Sequence, residues 1–273
     1  MLEKKNILGV DITSATKKEI LEYIIKNLEN FQKKLFVVTP NPEFLVLANK
    51  NPKFKSILNR ADLASADGIG LILAAKILGK PLRGRFTGID LVKSLCEEVS
   101  EKPITVGFLG GRGDVAEKTA ECLRKKYPGL KVGFVGEEWP NDNLDDRGLR
   151  VEGRNLKIDG RSSIHSLTPT VKNLSSTFYH LPSSIDILFV AFGAPKQEYW
   201  ISENLDKIPV KVAIGVGGAF DYISGKVPRA PSFLRDIGME WLFRLLVQPW
   251  RLKRQLSLIR FVWLVIKEKL SKN

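Results

Sequence analysis

The chain is 273 residues long, 44% hydrophobic and 27% charged, a length for one large domain or two small ones and a composition close to the globular average. Its 43 Lys and Arg against 30 Asp and Glu leave a formal charge of +13, which points to acidic partners: nucleic acid, anionic lipid or a phosphorylated substrate. The two cysteines, Cys96 and Cys122, both fall in helical patterns, which argues against a disulfide scaffold and for a reducing compartment, and the charged start at 1–11 lacks the apolar stretch of a secretory leader.

In chain order, residues 17–29 show the first amphipathic helical pattern, and the apolar run 34–39 reads as a strand. That strand ends in Thr39-Pro40-Asn41-Pro42. The two prolines fix the backbone and Pro42 can open a helix, so Thr39 and Asn41 are either helix caps or polar groups presented at a strand's carboxyl end. The apolar run 63–66 leads into Asp67-Gly68-Ile69-Gly70 and a helix over 69–78. Asp67 either caps that helix or serves as a general base at the mouth of a cleft, with the glycines admitting a substrate. A helix at 91–99 and a strand at 103–109 follow. Gly110, Gly111 and Gly113 then open a helix at 115–126, either as a tight strand-to-helix turn or as a backbone cradle for a phosphate; the full dinucleotide fingerprint is absent.

After a strand at 130–135 the rhythm stops. Residues 137–182 are rich in Asn, Asp, Ser and Thr and read as an irregular insertion, with a small hairpin across 149–158; His165 and His180 both lie in it, which argues against a histidine-based metal site or triad. The strand 185–191 leads to Gly193-Ala194-Pro195-Lys196-Gln197-Glu198, where Gln197 either belongs to an ordinary helix start or offers a donor and an acceptor to sugar hydroxyls. The strand 210–215 leads to Gly217-Gly218-Ala219-Phe220-Asp221, where small residues permit close helix packing or the approach of a flat ring, and Asp221 can accept from a ribose or base. Apolar strands alternating with helices predict an α/β fold, a Rossmann-like, mostly parallel sheet flanked by helices, with function in the loops after the strands.

The final stretch, 226–273, differs in composition. It holds 11 Lys and Arg against 3 Asp and Glu, +8 of the formal +13, and three of the five tryptophans. We read 1–225 as the α/β domain and 226–273 as a helical, membrane-associating appendage, with one helix over 232–247, a break at Pro249 and a second helix over 250–270. Its most apolar run, 256–266, is too short to span a bilayer but long enough to lie on one. Arg244, Arg251 and Arg254 fall on one helical face if the rotation is carried through Pro249, and arginine suits a diphosphate. The chain has no Asp-x-Asp pair, the spacing that commonly holds a divalent ion on a sugar nucleotide, which favours arginines for neutralising a leaving diphosphate.

Together, Thr39–Pro42, Ala66–Gly70, Arg85-Phe86-Thr87-Gly88-Ile89-Asp90, Gly193–Glu198, Gly217–Asp221 and Arg229-Ala230-Pro231 resemble, in order, the bacterial WecG/TagA/CpsF glycosyltransferases, family 26. The resemblance covers nearly the whole chain except the insertion. It implies inverting transfer of N-acetylmannosamine from UDP to the 4-hydroxyl of undecaprenyl-diphosphate-linked N-acetylglucosamine, giving the β-1,4 disaccharide lipid of teichoic acid or related polymers. Relatives also use the uronic acid form of the donor. The resemblance further implies a reaction without metal or other cofactor, a peripheral site on the cytoplasmic face of an anionic membrane, and self-association as a dimer or trimer. By the same resemblance Asp67 is the base and Thr39 assists at the acceptor. Arg85 and Gln197 line the pocket, and Arg244, Arg251 and Arg254 close over it. A nucleic-acid-binding protein and a nicotinamide-dependent oxidoreductase are the competing readings. The large apolar residues of the tail argue against the first, and the incomplete glycine fingerprint against the second.

Overall fold

The computed structural model describes residues 2–136, 185–236, 239–248 and 252–271. The expected insertion, its hairpin and both histidines lie outside the described residues. A six-stranded, wholly parallel sheet forms the centre, in the order β4-β3-β8-β7-β5-β6, built from β3 (Leu35–Val38), β4 (Leu63–Ala64), β5 (Thr105–Gly110), β6 (Lys131–Gly136), β7 (Ile185–Ala191) and β8 (Val210–Gly215). Every residue of β7 is buried, as a central strand covered on both faces requires.

Two apolar layers follow from strand alternation. Leu35, Val37, Phe108, Phe189 and Ile214 face helices α1 (Lys17–Glu29), α5 (Gly88–Val99), α6 (Val115–Lys126) and α8 (Ala219–Ile223); Phe108 lies 5.5 Å from Phe189 and 5.6 Å from Phe220 between ring centres. Phe36, Val38, Leu188, Val190 and Ala213 face α2 (Pro42–Lys50), α3 (Pro52–Arg60), α4 (Ile69–Ile77) and α7 (Lys196–Asn204). Thr16 starts α1 with a complete capping box, its hydroxyl accepting from the Glu19 N–H and the Glu19 carboxylate accepting from the Thr16 N–H. Asn51 ends α2 and caps α3 at once, accepting from the Phe54 N–H at 3.0 Å, with Pro52 in the first helical position.

A two-stranded antiparallel hairpin precedes the sheet, β1 (Lys4–Ile7) with β2 (Val10–Thr13). Its two-residue turn puts both Leu8 (φ 51°) and Gly9 (φ 81°) in the left-handed region. Asn6 supports the turn, accepting from the Gly9 N–H at 3.1 Å and donating to Asp11 at 2.7 Å.

Among its described residues the C-terminal part holds three helices where two were expected: α9 (Ser232–Asp236), α10 (Glu240–Val247) and α11 (Leu252–Leu270). α11 packs on α2 and α4. Its buried Phe261, Leu264 and Val265 join the same apolar layer as Phe36 and Val38. Its outer side exposes Leu256, Ile259, Val262, Trp263, Ile266 and Leu270. Among the described residues no helix is long and apolar enough to cross a membrane.

Candidate active site

The sheet register brings five loops to one edge. Val38 is level with Ala64, Val37 with Ile214, Gly215 with Val190, and Gly110 with Ala191. The chain leaves the strands at Thr39, Ser65, Val216, Phe192 and Gly111, all at carboxyl ends, the edge where open parallel sheets bind ligands.

Thr39 is buried, and its hydroxyl donates to the Gly215 carbonyl at 2.8 Å, tying the end of β3 to that of β8. Asn41 caps α2, its side-chain oxygen accepting from the Phe44 N–H at 3.2 Å. Asp67 is different. The N-cap of α4 is Gly68, with no side-chain hydrogen bond, so Asp67 is not a cap. Its carboxylate accepts instead from the Gly88 N–H at 3.4 Å, at the start of α5. Gly88 must be small: a Cβ there would stand 3.0 Å from the Val216 carbonyl and 3.4 Å from the Thr39 hydroxyl. Thr39 and Asp67 thus converge on one glycine.

Burial raises the Asp67 carboxyl to about 6; the Gly88 N–H opposes this, the Glu240 charge adds to it, Arg85 pulls it down and Asp90 pushes it up. Arg85 is half-buried and, through this charge effect, belongs to the same site. A carboxylate balanced near 6 is ionised at neutral pH yet basic enough to take a proton.

Gly110 and Gly111 have a packing reason. Both have positive φ, 102° and 81°, and a Cβ would strike the Phe192 ring at 2.8 Å in one case and Val115 at 3.0 Å in the other. Gln197 is fully buried. Its oxygen accepts from the Gly193 N–H (3.1 Å) and the Gly217 N–H (2.9 Å), clamping the loops after β7 and β8, and its nitrogen donates to Glu198 at 2.6 Å. Glu198 is also fully buried, and among the described residues its second oxygen has no hydrogen-bond partner. Burial raises its carboxyl to about 7, against the Gln197 hydrogen bond and its own backbone N–H.

Asp221 lies half-buried in the first turn of α8. Beside it, α10 delivers Arg244. The guanidinium lies 4.9 Å from the centre of the Tyr222 ring, and a Cβ on Gly218 would sit 3.0 Å from Arg244 Nη2 and 3.5 Å from Asp221 Oδ2. Arg251 lies outside the described residues, as does the side chain of Arg254.

Four contributors were given no role by the sequence reading. Gly88 and Glu198 stand inside quoted motifs but show no chemical signal of their own, Tyr222 follows Asp221 directly, and Glu240 is an ordinary first-turn acid until folding brings its charge to Asp67.

The two raised carboxyls predict a stability trend. Folded, each binds its proton more tightly than when unfolded, so the contribution is complete below about pH 4, falls as pH rises, and is gone above about pH 7. In thermal melts from pH 4 to 8, Glu198→Gln should show a flatter pH dependence than wild type across pH 4.5–7, so that its stability relative to wild type rises with pH. An unchanged pH slope would place the Glu198 carboxyl near its ordinary value.

Comparison with known proteins identifies the family. The model of the glycosyl transferase WecG/TagA/CpsF family matches residues 5–145 and 182–273. A protein of Bacillus spizizenii is 31% identical over 266 residues, covering 97% of this chain and 92% of the relative. A Bacillus subtilis protein is 26% identical over 272 residues (100% and 94%), and one from Staphylococcus aureus 28% over 267 residues (97% and 93%). All three relatives are named N-acetylglucosaminyldiphosphoundecaprenol N-acetyl-beta-D-mannosaminyltransferase. With the motif loops on one edge and the match running over both halves of the chain, this protein belongs to the WecG/TagA/CpsF family of glycosyltransferases.

Proposed function

We propose that the protein transfers N-acetylmannosamine from its UDP donor to the 4-hydroxyl of undecaprenyl-diphosphate-linked N-acetylglucosamine, with inversion, at the cytoplasmic face of the membrane. The observation that carries the reading is Asp67, a carboxylate with no capping duty, raised toward neutrality on the ligand edge of the sheet. The names of the full-length relatives supply the substrate class.

In the mechanism, Asp67 takes the proton from the acceptor hydroxyl as its oxygen bonds to the anomeric carbon. The bond from that carbon to the UDP oxygen breaks on the opposite face, and its electron pair leaves with UDP. Arg244, joined by Arg251 and Arg254, balances the charge growing on the diphosphate. Thr39 and Asn41 stand on the acceptor side, Arg85 and Gln197 shape the pocket, and Asp221 receives the nucleoside. Offering several UDP-sugars, including the uronic acid form, with a short-chain lipid-diphosphate acceptor and weighing the product tests this directly. A product mass lacking an added N-acetylhexosamine would overturn it.

The outer side of α11 supplies the membrane contact. Its exposed apolar residues lie beside Arg260 and Lys267, the latter 5.2 Å from the Trp263 ring centre, an arrangement suited to anionic headgroups over acyl chains. Ile259→Glu with Trp263→Glu should cut sedimentation with phosphatidylglycerol vesicles at least tenfold and leave the melting temperature within a degree or two, because both side chains are already more than half exposed. Undiminished vesicle binding would move the contact elsewhere.

A further inference from the structure

Two charged residues of the motif set take no direct part in the transfer step above. Asp90 ends the run that begins at Arg85, and Arg229 opens the run that ends at Pro231. They are 139 positions apart, yet Arg229 Nη2 donates to Asp90 Oδ1 at 2.8 Å. The Thr87 hydroxyl, the cap of α5, donates to the other Asp90 oxygen at 2.8 Å. From its other side, Arg229 Nε lies 3.7 Å from Glu240 Oε1, in the first residue of α10. One guanidinium therefore bridges the head of α5 and the head of α10.

The bridge is not an ordinary surface pair. The side chains of Arg229, Asp90 and Glu240 are 18%, 26% and 24% exposed, so their charges are only partly screened. Burial alone raises the Asp90 carboxyl, but the Thr87 hydroxyl and Arg229 outweigh it and hold the group below its ordinary value, so it stays charged.

Among the described residues little else fixes α10. None of its eight residues is buried, and its N-terminus has no side-chain cap. Trp241, Leu246 and Val247 are exposed. Glu240 and Arg244 stand one helical turn apart and so share a face. The first acts on Asp67 through its charge, and the second meets Tyr222 and Gly218. Whatever fixes Glu240 fixes Arg244.

We propose that Arg229 is a positioning residue: anchored on Asp90, it holds Glu240 and thereby sets the helix that brings Arg244 to the diphosphate side of the pocket. This rests on the reading of Asp67 and Arg244 as the transfer site.

The test uses the full chain with Arg229→Gln, Arg229→Lys, Glu240→Gln and the double variant Arg229→Gln/Glu240→Gln. The readouts are amide hydrogen exchange over 240–247 and calorimetric binding of UDP. Arg229→Gln should speed exchange in 240–247 about tenfold and weaken UDP about tenfold, with exchange in the sheet unchanged. Glu240→Gln cuts the same link from the other end and should do the same. The double variant should be no worse than either single one, because one link can be cut only once. Arg229→Lys should recover part of the loss. Wild-type exchange over 240–247 in either single variant, or additive losses in the double, overturns the proposal. If Arg229→Gln fails to fold, Glu240→Gln, at a partly exposed helix start, decides alone. Full turnover in Asp67→Asn would instead unseat the transfer-site reading and leave the exchange result to judge the tether.

Discussion

Replacing Asp67 by Asn should lower sugar transfer by about 10²–10⁴-fold while leaving UDP affinity within a few-fold of wild type. The substitution is nearly isosteric. The amide oxygen can still accept from the Gly88 N–H, so the start of α5 and the loop after β4 keep their connection. What disappears is the capacity to take a proton. The wild-type rate should also carry an acid limb in kcat/KM near pH 6, where the raised carboxyl loses its charge, and Glu240→Gln should move that limb downward by removing a neighbouring negative charge. Steady-state rates on a short-chain acceptor across pH 5–8 measure both effects. Near-normal turnover in Asp67→Asn would remove this carboxylate from the chemistry.

The second large effect is expected at Arg244. Its guanidinium rests on the Tyr222 ring beside Gly218, close to Asp221 and the carboxyl end of β8. Arg244→Ala should cost about 10²–10³ in turnover, roughly 3–4 kcal/mol of support for the leaving diphosphate, and should weaken UDP as well. Arg244→Lys keeps the charge but loses the planar stacking and the fork of donors, so it should fall between the two. Calorimetry with UDP separates this variant from Asp67→Asn: binding falls in the first and holds in the second. Unchanged UDP affinity in Arg244→Ala would take the appendage out of donor recognition.

Much of the architecture was legible because parallel strands are apolar throughout while their helices keep a 3.6-residue stripe. The bounds of β7 and β8 were read residue for residue, as were those of α1 and α6. The amino-terminal hairpin was not. Its turn carries Leu8 where such turns favour Asn or Gly, and the cost is offset by burying Leu8 and by the side-chain bonds of Asn6, neither visible locally. β4 escaped because two paired residues leave no period to read. At the site, one ambiguity ran the same way at two positions and resolved differently. Asn41 and Asp67 both precede helices and both can cap; the structure gives the cap to Asn41 and frees Asp67. Sequence spacing cannot separate these cases, because a cap and a base use the same short polar side chain. The Asp90–Arg229 contact needed the fold itself, since 139 intervening residues hide it.

The two-sided character of α11 has a practical consequence. Phe261, Leu264 and Val265 plug the interior against α2 and α4, while the opposite side carries the grease. Trimming the terminus to obtain a better-behaved enzyme would therefore uncork the body and trade one sticky surface for another. Repainting the outer positions with charge, and leaving the plug in place, is the route to a tractable sample.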